Sequence, residues 1–348
     1  MVPCHRRTFG SCSIGKSSQG SQPEPGKELS LNKDQLVLLE KMRSIFLEER
    51  TNSAPDYWAT PETIALYDAF FARRISWKWQ SVLRELDRVN WTVPSHVENV
   101  LDWGCGSGVA SESLVGWAPA TQNAHFYLLD RSPLAMSYSA EKICKISPKI
   151  DITRATIPTN LANTLLLVSH VLTELSESQR LALFNIAEQC AAVIWVEPGT
   201  QSCANHLVNL HEKLRQNHRI ISPCTHQNRC GLFEPQNERH WCHFFAATPT
   251  EVFHDRDWRL FANTMGIDLR SLPVSWLVTE RQKLEALPTH TKPSGEIRIL
   301  ARPHHLKGQT RVLGCDPLGV STRYLQHKEH KSLIRSFDEQ TFPVIPPK

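Results

Sequence analysis

No apolar run in the 348 residues approaches the roughly twenty that a membrane-crossing helix needs. The longest, LANTLLLV and CAAVIWV, have the length of buried strands, so no transmembrane segment and no membrane partner is expected. No secretory apolar stretch precedes the ten cysteines, which are scattered along the chain. Reduced, intracellular thiols are therefore expected rather than a disulfide framework. No two cysteines form the C-x2-C knuckle that aims two sulfurs at one zinc ion. No acid occurs before Glu24, and no internal repeat is visible.

Hydrophobic content of 41% and charged content of 21% are ordinary for a globular protein. A chain of this length can bury one large core or two modest ones. The net charge of +4 is uneven: residues 292–348 hold ten Lys/Arg against five Asp/Glu, with four histidines besides. A basic terminal region is compatible with a nucleic-acid footprint or with a plain solvated surface.

Residues 1–28, rich in Ser, Gly, Pro and Gln, read as a disordered leader. Arg6, Arg7 and Lys16 faintly suggest organelle transit, but no amphipathic face accompanies them, and a dispensable tail is the preferred reading. Residues 29–93 read as a helical cap. Leu36, Leu39, Met42 and Ile45 recur at helical steps, and Thr60 is an expected N-cap before Pro61 and Glu62. Trp77 and Trp79 are expected to pack rather than to stack on bases.

Between residues 94 and 220, strand-like runs (97–102, 124–130, 150–155, 164–170, 191–197) alternate with amphipathic helical segments. That alternation predicts a parallel sheet wrapped by helices. Residues 221–291 read as a cysteine-rich segment plus the remainder of the core. From about Ser275 onward, with 292–348 as the terminal region, SWLVTE, EIRILA, TRVLGC and TRYLQH predict a small β-rich part.

VENVLDWGCGSGVASESLV reads as strand, glycine loop and helix start. Gly104, Gly106 and Gly108 open the backbone to a ligand, and the amides of the following helix face it. GCGSG does not meet the dinucleotide pattern GxGxxG, whereas Asp102 before the loop gives D-x-G-x-G-x-G, the shape of an S-adenosylmethionine site. Asp130, ending the next strand, is placed to accept a ribose's hydroxyls. A tight turn without ligand is the bland alternative.

The transfer chemistry is less legible. The end of the fourth strand reads SHVLTEL, without the proline pair that presents a planar amine. His170 and Glu174, four apart on an expected emerging helix, form a candidate base with its orienting partner, and Glu197 is a further candidate. Pro223-Cys224 has the dipeptide of a nucleophilic cysteine, but Cys230 and Cys242 nearby make a ligand role the better reading. Cys224, Cys230 and Cys242, with Cys315 as a fourth candidate, suit an iron–sulfur cluster, whose metal corners are well separated. Zinc with help from His226, His240 or His243 stays open, as do buried cysteines without metal.

Together LDWGCGSGVAS, VLTEL, WVEPGT, PC-x5-C with WCHF, and RILARPHHLKGQTRVLGCDPLG resemble the methyltransferase-like proteins associated with the small ribosomal subunit. These are the mitochondrial ribosome assembly factors of that type and their bacterial relatives. The resemblance runs from about residue 55 to 335, with a longer gap between Cys230 and Cys242 than the family pattern. It implies an α/β, class I (Rossmann-like) methyltransferase core with a helical N-terminal cap and a small β-rich, cluster-linked C-terminal part. It further implies S-adenosylmethionine at Asp102, Gly104, Gly106, Gly108 and Asp130, and a 4Fe-4S cluster (alternatively zinc) on Cys224, Cys230, Cys242 and Cys315. The implied partners are the small subunit and its rRNA, met by a chain that is monomeric when free, in bacterial cytoplasm or alternatively the mitochondrial matrix. The implied activity is methyl transfer to that RNA; the alternative is a non-catalytic iron–sulfur assembly factor. A third reading is a small-molecule methyltransferase carrying zinc.

Overall fold

The computed structural model describes residues 31–47, 58–282 and 295–347. The leader expected at 1–28 lies outside the described residues, as does the boundary expected at 291–292. Among the described residues no helix is long and apolar enough to cross a membrane.

The N-terminal part is helical: α1 (Lys33–Leu47), α2 (Pro61–Tyr67), a π-helical turn at Asp68–Ala72, and α3 (Arg73–Arg88). Thr60 caps α2, its hydroxyl accepting from the Thr63 amide while the Thr63 hydroxyl accepts from the Thr60 amide. Proline follows at the first helical position, where its missing N–H costs nothing. Strands and helices then alternate: β1 (Asn99–Trp103), α4 (Val109–Trp117), β2 (His125–Leu129), α5 (Pro133–Ile146), β3 (Ile152–Arg154), β4 (Thr164–Ser169), α6 (Glu177–Gln189), β5 (Ala192–Pro198), α7 (Gln201–Leu214) and β6 (His218–Ser222). They are followed by β7 (Phe244–Phe245), α8 (Arg256–Met265) and β8 (Pro273–Arg281).

The main sheet runs β3-β2-β1-β4-β5-β8-β6, with β7 paired to one end of β8. β1 to β5 are parallel, and β8 enters antiparallel between β5 and β6. This order, with its reversal between β1 and β4 and one antiparallel strand near the edge, is the class I methyltransferase arrangement. SWLVTE, expected as the first strand of the terminal part, is β8 and belongs to this sheet. Its apolar run Val274–Val278 is buried because it has strands on both sides.

The central strands are apolar on both faces because both faces are covered. Trp79, Val82 and Leu86 of α3 share one core with Val100, Leu114 and Phe126. Leu183, Phe184 and Leu207 of α6 and α7 pack on Leu101, Leu166 and Trp195 on the other side. Leu39 and Met42 of α1 meet Phe70, Phe261 and Met265, so the cap is held through α8. Full burial of each such side chain contributes about 1.5–3 kcal/mol.

The C-terminal part is a separate antiparallel sheet, β11-β10-β9-β12. It comprises β9 (Ile297–Leu306), β10 (Gln309–Asp316), β11 (Gly319–Gln326) and β12 (Val344–Ile345), with α9 (His327–Glu339) packed on Ile299, Val312 and Leu325 through Phe337. Arg298 of β9 ties it to the core. Its guanidinium donates to Pro223 O at 2.9 Å and Phe342 O at 3.0 Å and pairs with Glu85 of α3. Both charges are almost fully buried; removing Glu85 would leave the Arg298 charge without a counter-charge in a low dielectric, whereas Glu85 has a second partner in Arg88 at 2.9 Å.

Candidate functional site

The switch point between β1 and β4 opens into a cavity of about 890 Å³. In open α/β sheets ligands bind in the crevice at such a point. The glycine loop forms its floor. The amides of Gly104 and Cys105 donate to Leu129 O at 2.7 and 3.1 Å, joining the loop to the end of β2. The Gly106 amide donates to Asp130 Oδ2 at 2.9 Å, and Ser132 N donates to Oδ1 at 2.9 Å.

Gly104, Gly106 and Asp130 line the cavity. Gly106 is the loop's open position: it sits at φ +50°, and a Cβ there would meet nothing nearer than Trp58 at 3.9 Å, across the space a ligand would fill. Gly108 is required for a different reason, since a Cβ on it would lie 2.5 Å from Ser139 Oγ of α5. Asp102 lies beneath the loop, fully buried, and does not line the cavity. Its Oδ2 accepts from the amide and hydroxyl of Ser111 at 3.2 and 2.6 Å, fixing the start of α4, while Oδ1 has no partner. Burial, opposed by the Ser111 hydrogen bonds, pushes Asp102 up to about 6.

The expected helix after β4 does not form. Residues 171–176 are turn and irregular, and α6 starts only after Ser176, its N-cap. His170 and Glu174 are therefore not one helical turn apart, though both line the cavity. His170 instead sits at φ +58° and has Lys78 Nζ of α3 3.4 Å from its Nε2. Burial, then the Arg74 charge, holds Lys78 down to about 7, with Glu197 and Cys203 opposing. Burial and the Lys78 and Arg74 charges hold His170 well below its ordinary value. Near neutral pH a neutral imidazole and a half-deprotonated amine thus share one wall of the cavity.

Glu197 is buried beside the cavity rather than in it. Its Oε1 accepts from Val171 N at 3.1 Å, Leu172 N at 3.3 Å and Trp195 Nε1 at 2.8 Å, while Oε2 has no partner. It shapes the turn that carries His170. Burial, opposed by those donors and by Lys78, pushes it up to about 7. The sequence reading missed Lys78. The available signal was a lysine three residues after Ile75 and four before Val82, a charge on the apolar stripe of α3. Trp77 and Trp79 pack as expected, both buried.

The four cysteines gather between β6, β7 and β10. Burial pushes the Cys224 thiol well above its ordinary value, with Cys315, Cys242 and Cys230 adding to the effect. Cys242 is raised likewise by burial and then by Cys230 and Cys315. Cys315 is pushed up to about 12, by burial first and then Cys230 and Asp316. The Arg298 charge opposes the rise at these three. Cys224 and Cys242 are half-buried as residues, but their thiols are enclosed.

Glu212 of α7 fixes the Cys230 loop by accepting its amide at 2.8 Å. Gly231 passes so close to β11 that a Cβ would lie 2.7 Å from Gly319 Cα. Among the described residues no three His, Cys, Asp or Glu side chains stand close enough to hold a single metal ion. Of the histidines weighed for zinc, His226 comes within 3.7 Å of Cys315 Sγ, whereas the His243 ring lies on the stack with Trp241.

The family model described as mitochondrial small ribosomal subunit Rsm22 matches residues 65–336. The chain belongs to that family. The matched span takes in Lys78, the glycine loop, Asp130, His170, Glu197 and all four cysteines. No curated protein matches the chain in sequence.

Among solved structures, a magnesium protoporphyrin IX methyltransferase of Synechocystis PCC 6803, with bound SAH, is similar at 12% identity and TM-score 0.36, covering 70% of this chain and 93% of that one. An O-methyltransferase from neocarzinostatin biosynthesis, in complex with S-adenosylmethionine, is similar at 12% identity and TM-score 0.38, covering 71% and 68%. At these scores the likenesses stand as observations only. The Rsm22 assignment rests on the sequence, and the methyltransferase fold on the strand order.

Proposed function

We propose that this Rsm22 family member is an S-adenosylmethionine-binding, methyltransferase-like factor of the small ribosomal subunit. In this reading it acts on or holds the subunit's rRNA and carries a 4Fe-4S cluster on Cys224, Cys230, Cys242 and Cys315. The observation that carries the reading is the cavity at the switch point, floored by the Gly104–Gly106 loop and Asp130 and walled by Lys78 and His170. Asp130 would accept the ribose hydroxyls, and Gly106 leaves room for the cofactor against the backbone. S-adenosylmethionine supplies an electrophilic methyl group when bound. The chain's own contribution is a proton acceptor: the Lys78 amine, near half-neutral at pH 7, in contact with a neutral His170 imidazole. Glu197 positions that imidazole through the backbone of Val171 and Leu172.

The family's description supports the mitochondrial matrix over bacterial cytoplasm. The thiol quartet beside the buried Arg298 supports a cluster, whose negative charge that guanidinium would offset. Anaerobic purification should give a brown protein with near-equal iron and acid-labile sulfide, bleached in Cys242→Ser. A colourless protein with stoichiometric zinc would overturn the cluster.

The non-catalytic reading draws support from one observation, the contact of His170 with Lys78 where amine-methylating enzymes present a proline pair. Radiolabelled methyl transfer from S-adenosylmethionine into RNA of immature small subunits separates the two. Incorporation lost in Asp130→Ala supports the enzyme. Cofactor binding with no incorporation supports the assembly factor.

A further inference from the structure

Outside the cavity, residues 241–245 carry an aromatic ladder. Trp241, His243 and Phe245 follow at the two-residue spacing that sets side chains on one face of an extended strand. The residues between turn inward: the Cys242 thiol is enclosed, and Phe244 is 1% exposed. The outward rings touch in series. Trp241 and His243 stack with centroids 4.5 Å apart, His243 meets Phe245 edge-on at 5.6 Å, and the Arg302 guanidinium lies 4.0 Å over the Phe245 ring. The three rings are half-buried and Arg302 is exposed. A strand face that meets water ordinarily alternates to polar side chains, so three consecutive outward aromatics need a reason.

Both ends of the ladder are hydrogen-bonded into the cavity's rim. Trp241 Nε1 donates to Gly199 O at 3.0 Å, between Pro198 and Thr200, which line the cavity. Arg302 donates to Arg270 O at 3.2 Å, two residues before the cavity-lining Leu272. Arg74, itself a lining residue, donates to Ser271 O between them. On the far flank the β9–β10 hairpin presents His304, His305, Lys307 and Arg311, all exposed. The Arg270 side chain is 80% exposed, with Asp268 as its ion-pair partner.

We propose that this ladder is a stacking platform for single-stranded RNA, guiding the strand across the mouth of the cavity. The proposal rests on the RNA reading above and extends it to a class of substrate, an unpaired segment rather than a duplex. Aromatic faces bind unpaired bases with little regard to sequence, and nearby cations take the phosphates. The platform is held in place beforehand, because the indole N–H is bonded to backbone and Phe245 lies under a guanidinium, so little ordering remains to oppose binding. A duplex hides its base faces and would meet only the cations.

The test is fluorescence anisotropy of the full chain with labelled oligoadenylate of about twelve nucleotides, against an RNA duplex of the same length. Trp241→Leu and Phe245→Leu keep apolar bulk and remove the π face. Each should weaken single-strand binding about tenfold, leaving its salt dependence and duplex binding unchanged. Arg302→Gln should lower the slope of log affinity against log salt by about one. Leucine variants that bind oligoadenylate like the wild type, or lose duplex binding equally, would overturn the platform while leaving RNA binding intact. Loss of small-subunit co-sedimentation with RNA affinity unchanged would overturn it in favour of a protein partner. A wild type that binds neither RNA at low salt would sink the RNA reading and the platform with it.

Discussion

Replacing Lys78 with methionine should stabilise the protein, and more so at low pH. Lys78 is 7% exposed, and burial holds it down to about 7 from 10.5. Its protonated form is therefore disfavoured in the folded state. Between pH 7 and 10.5 the unfolded chain binds the proton and the folded chain does not, so stability rises with pH across that window. Below pH 7 the whole penalty is present, roughly 5 kcal/mol. At pH 9 it has shrunk to roughly 2 kcal/mol.

Methionine matches the length of the stem, carries no charge and fills irregular space well. Lys78→Met should thus be more stable than wild type by about 5 kcal/mol at pH 6 and about 2 kcal/mol at pH 9. Urea denaturation followed by circular dichroism at the two pH values measures this. Equal stability at pH 6, or a gain that does not shrink with pH, would refute the argument and mean that Lys78 stays charged and solvated. A destabilising charge kept at a cavity wall is the pattern of a group retained for function.

Two further outcomes bear on the site. Glu197 is raised to about 7 from 4.5, so the stability tied to its proton is present below pH 4.5 and lost as pH rises through 7. Glu197→Gln keeps the Oε1 acceptor and removes that loss, so its stability relative to wild type should improve by about 3 kcal/mol between pH 4.5 and 8; a constant difference in urea melts would contradict it. Gly108→Ala forces a Cβ to within 2.5 Å of Ser139 Oγ at φ +81° and should lower stability by about 1–3 kcal/mol, with Ser139→Gly in the same chain recovering part of the loss in a thermal melt.

The parallel core was legible because covered strands are continuous apolar runs, and β1 to β5 lie within two residues of the runs read from the sequence. The placement of β8 was not. SWLVTE looks the same whether it starts a new sheet or inserts into an old one, and only its pairing with Val193–Val196 distinguishes them. His170 and Glu174 have helical spacing, yet Glu197, from the neighbouring strand, captures the amides of Val171 and Leu172 and holds the segment as a turn. Lys78 and Glu85 are the converse case. Both occupy core-facing positions of α3 that periodicity assigns to apolar residues, and although Glu85 also pairs locally with Arg88, the long-range partners, His170 and Arg298, lie 92 and 213 residues away in sequence. Short-range patterns do not carry such pairings. Cys315 stood as a fourth thiol candidate in the sequence, but its nearness to the other three depends on β10 folding back onto the core.

The most direct test of the cofactor site is calorimetric titration of the full chain with S-adenosylhomocysteine, for wild type and Gly106→Val. A Cβ at Gly106 would project toward Trp58 across the cavity floor. Saturable one-to-one binding by the wild type, lost in the valine variant while its thermal unfolding stays cooperative, is the predicted result. No binding by the wild type, or binding unaffected by valine at 106, would contradict the assignment of the cavity.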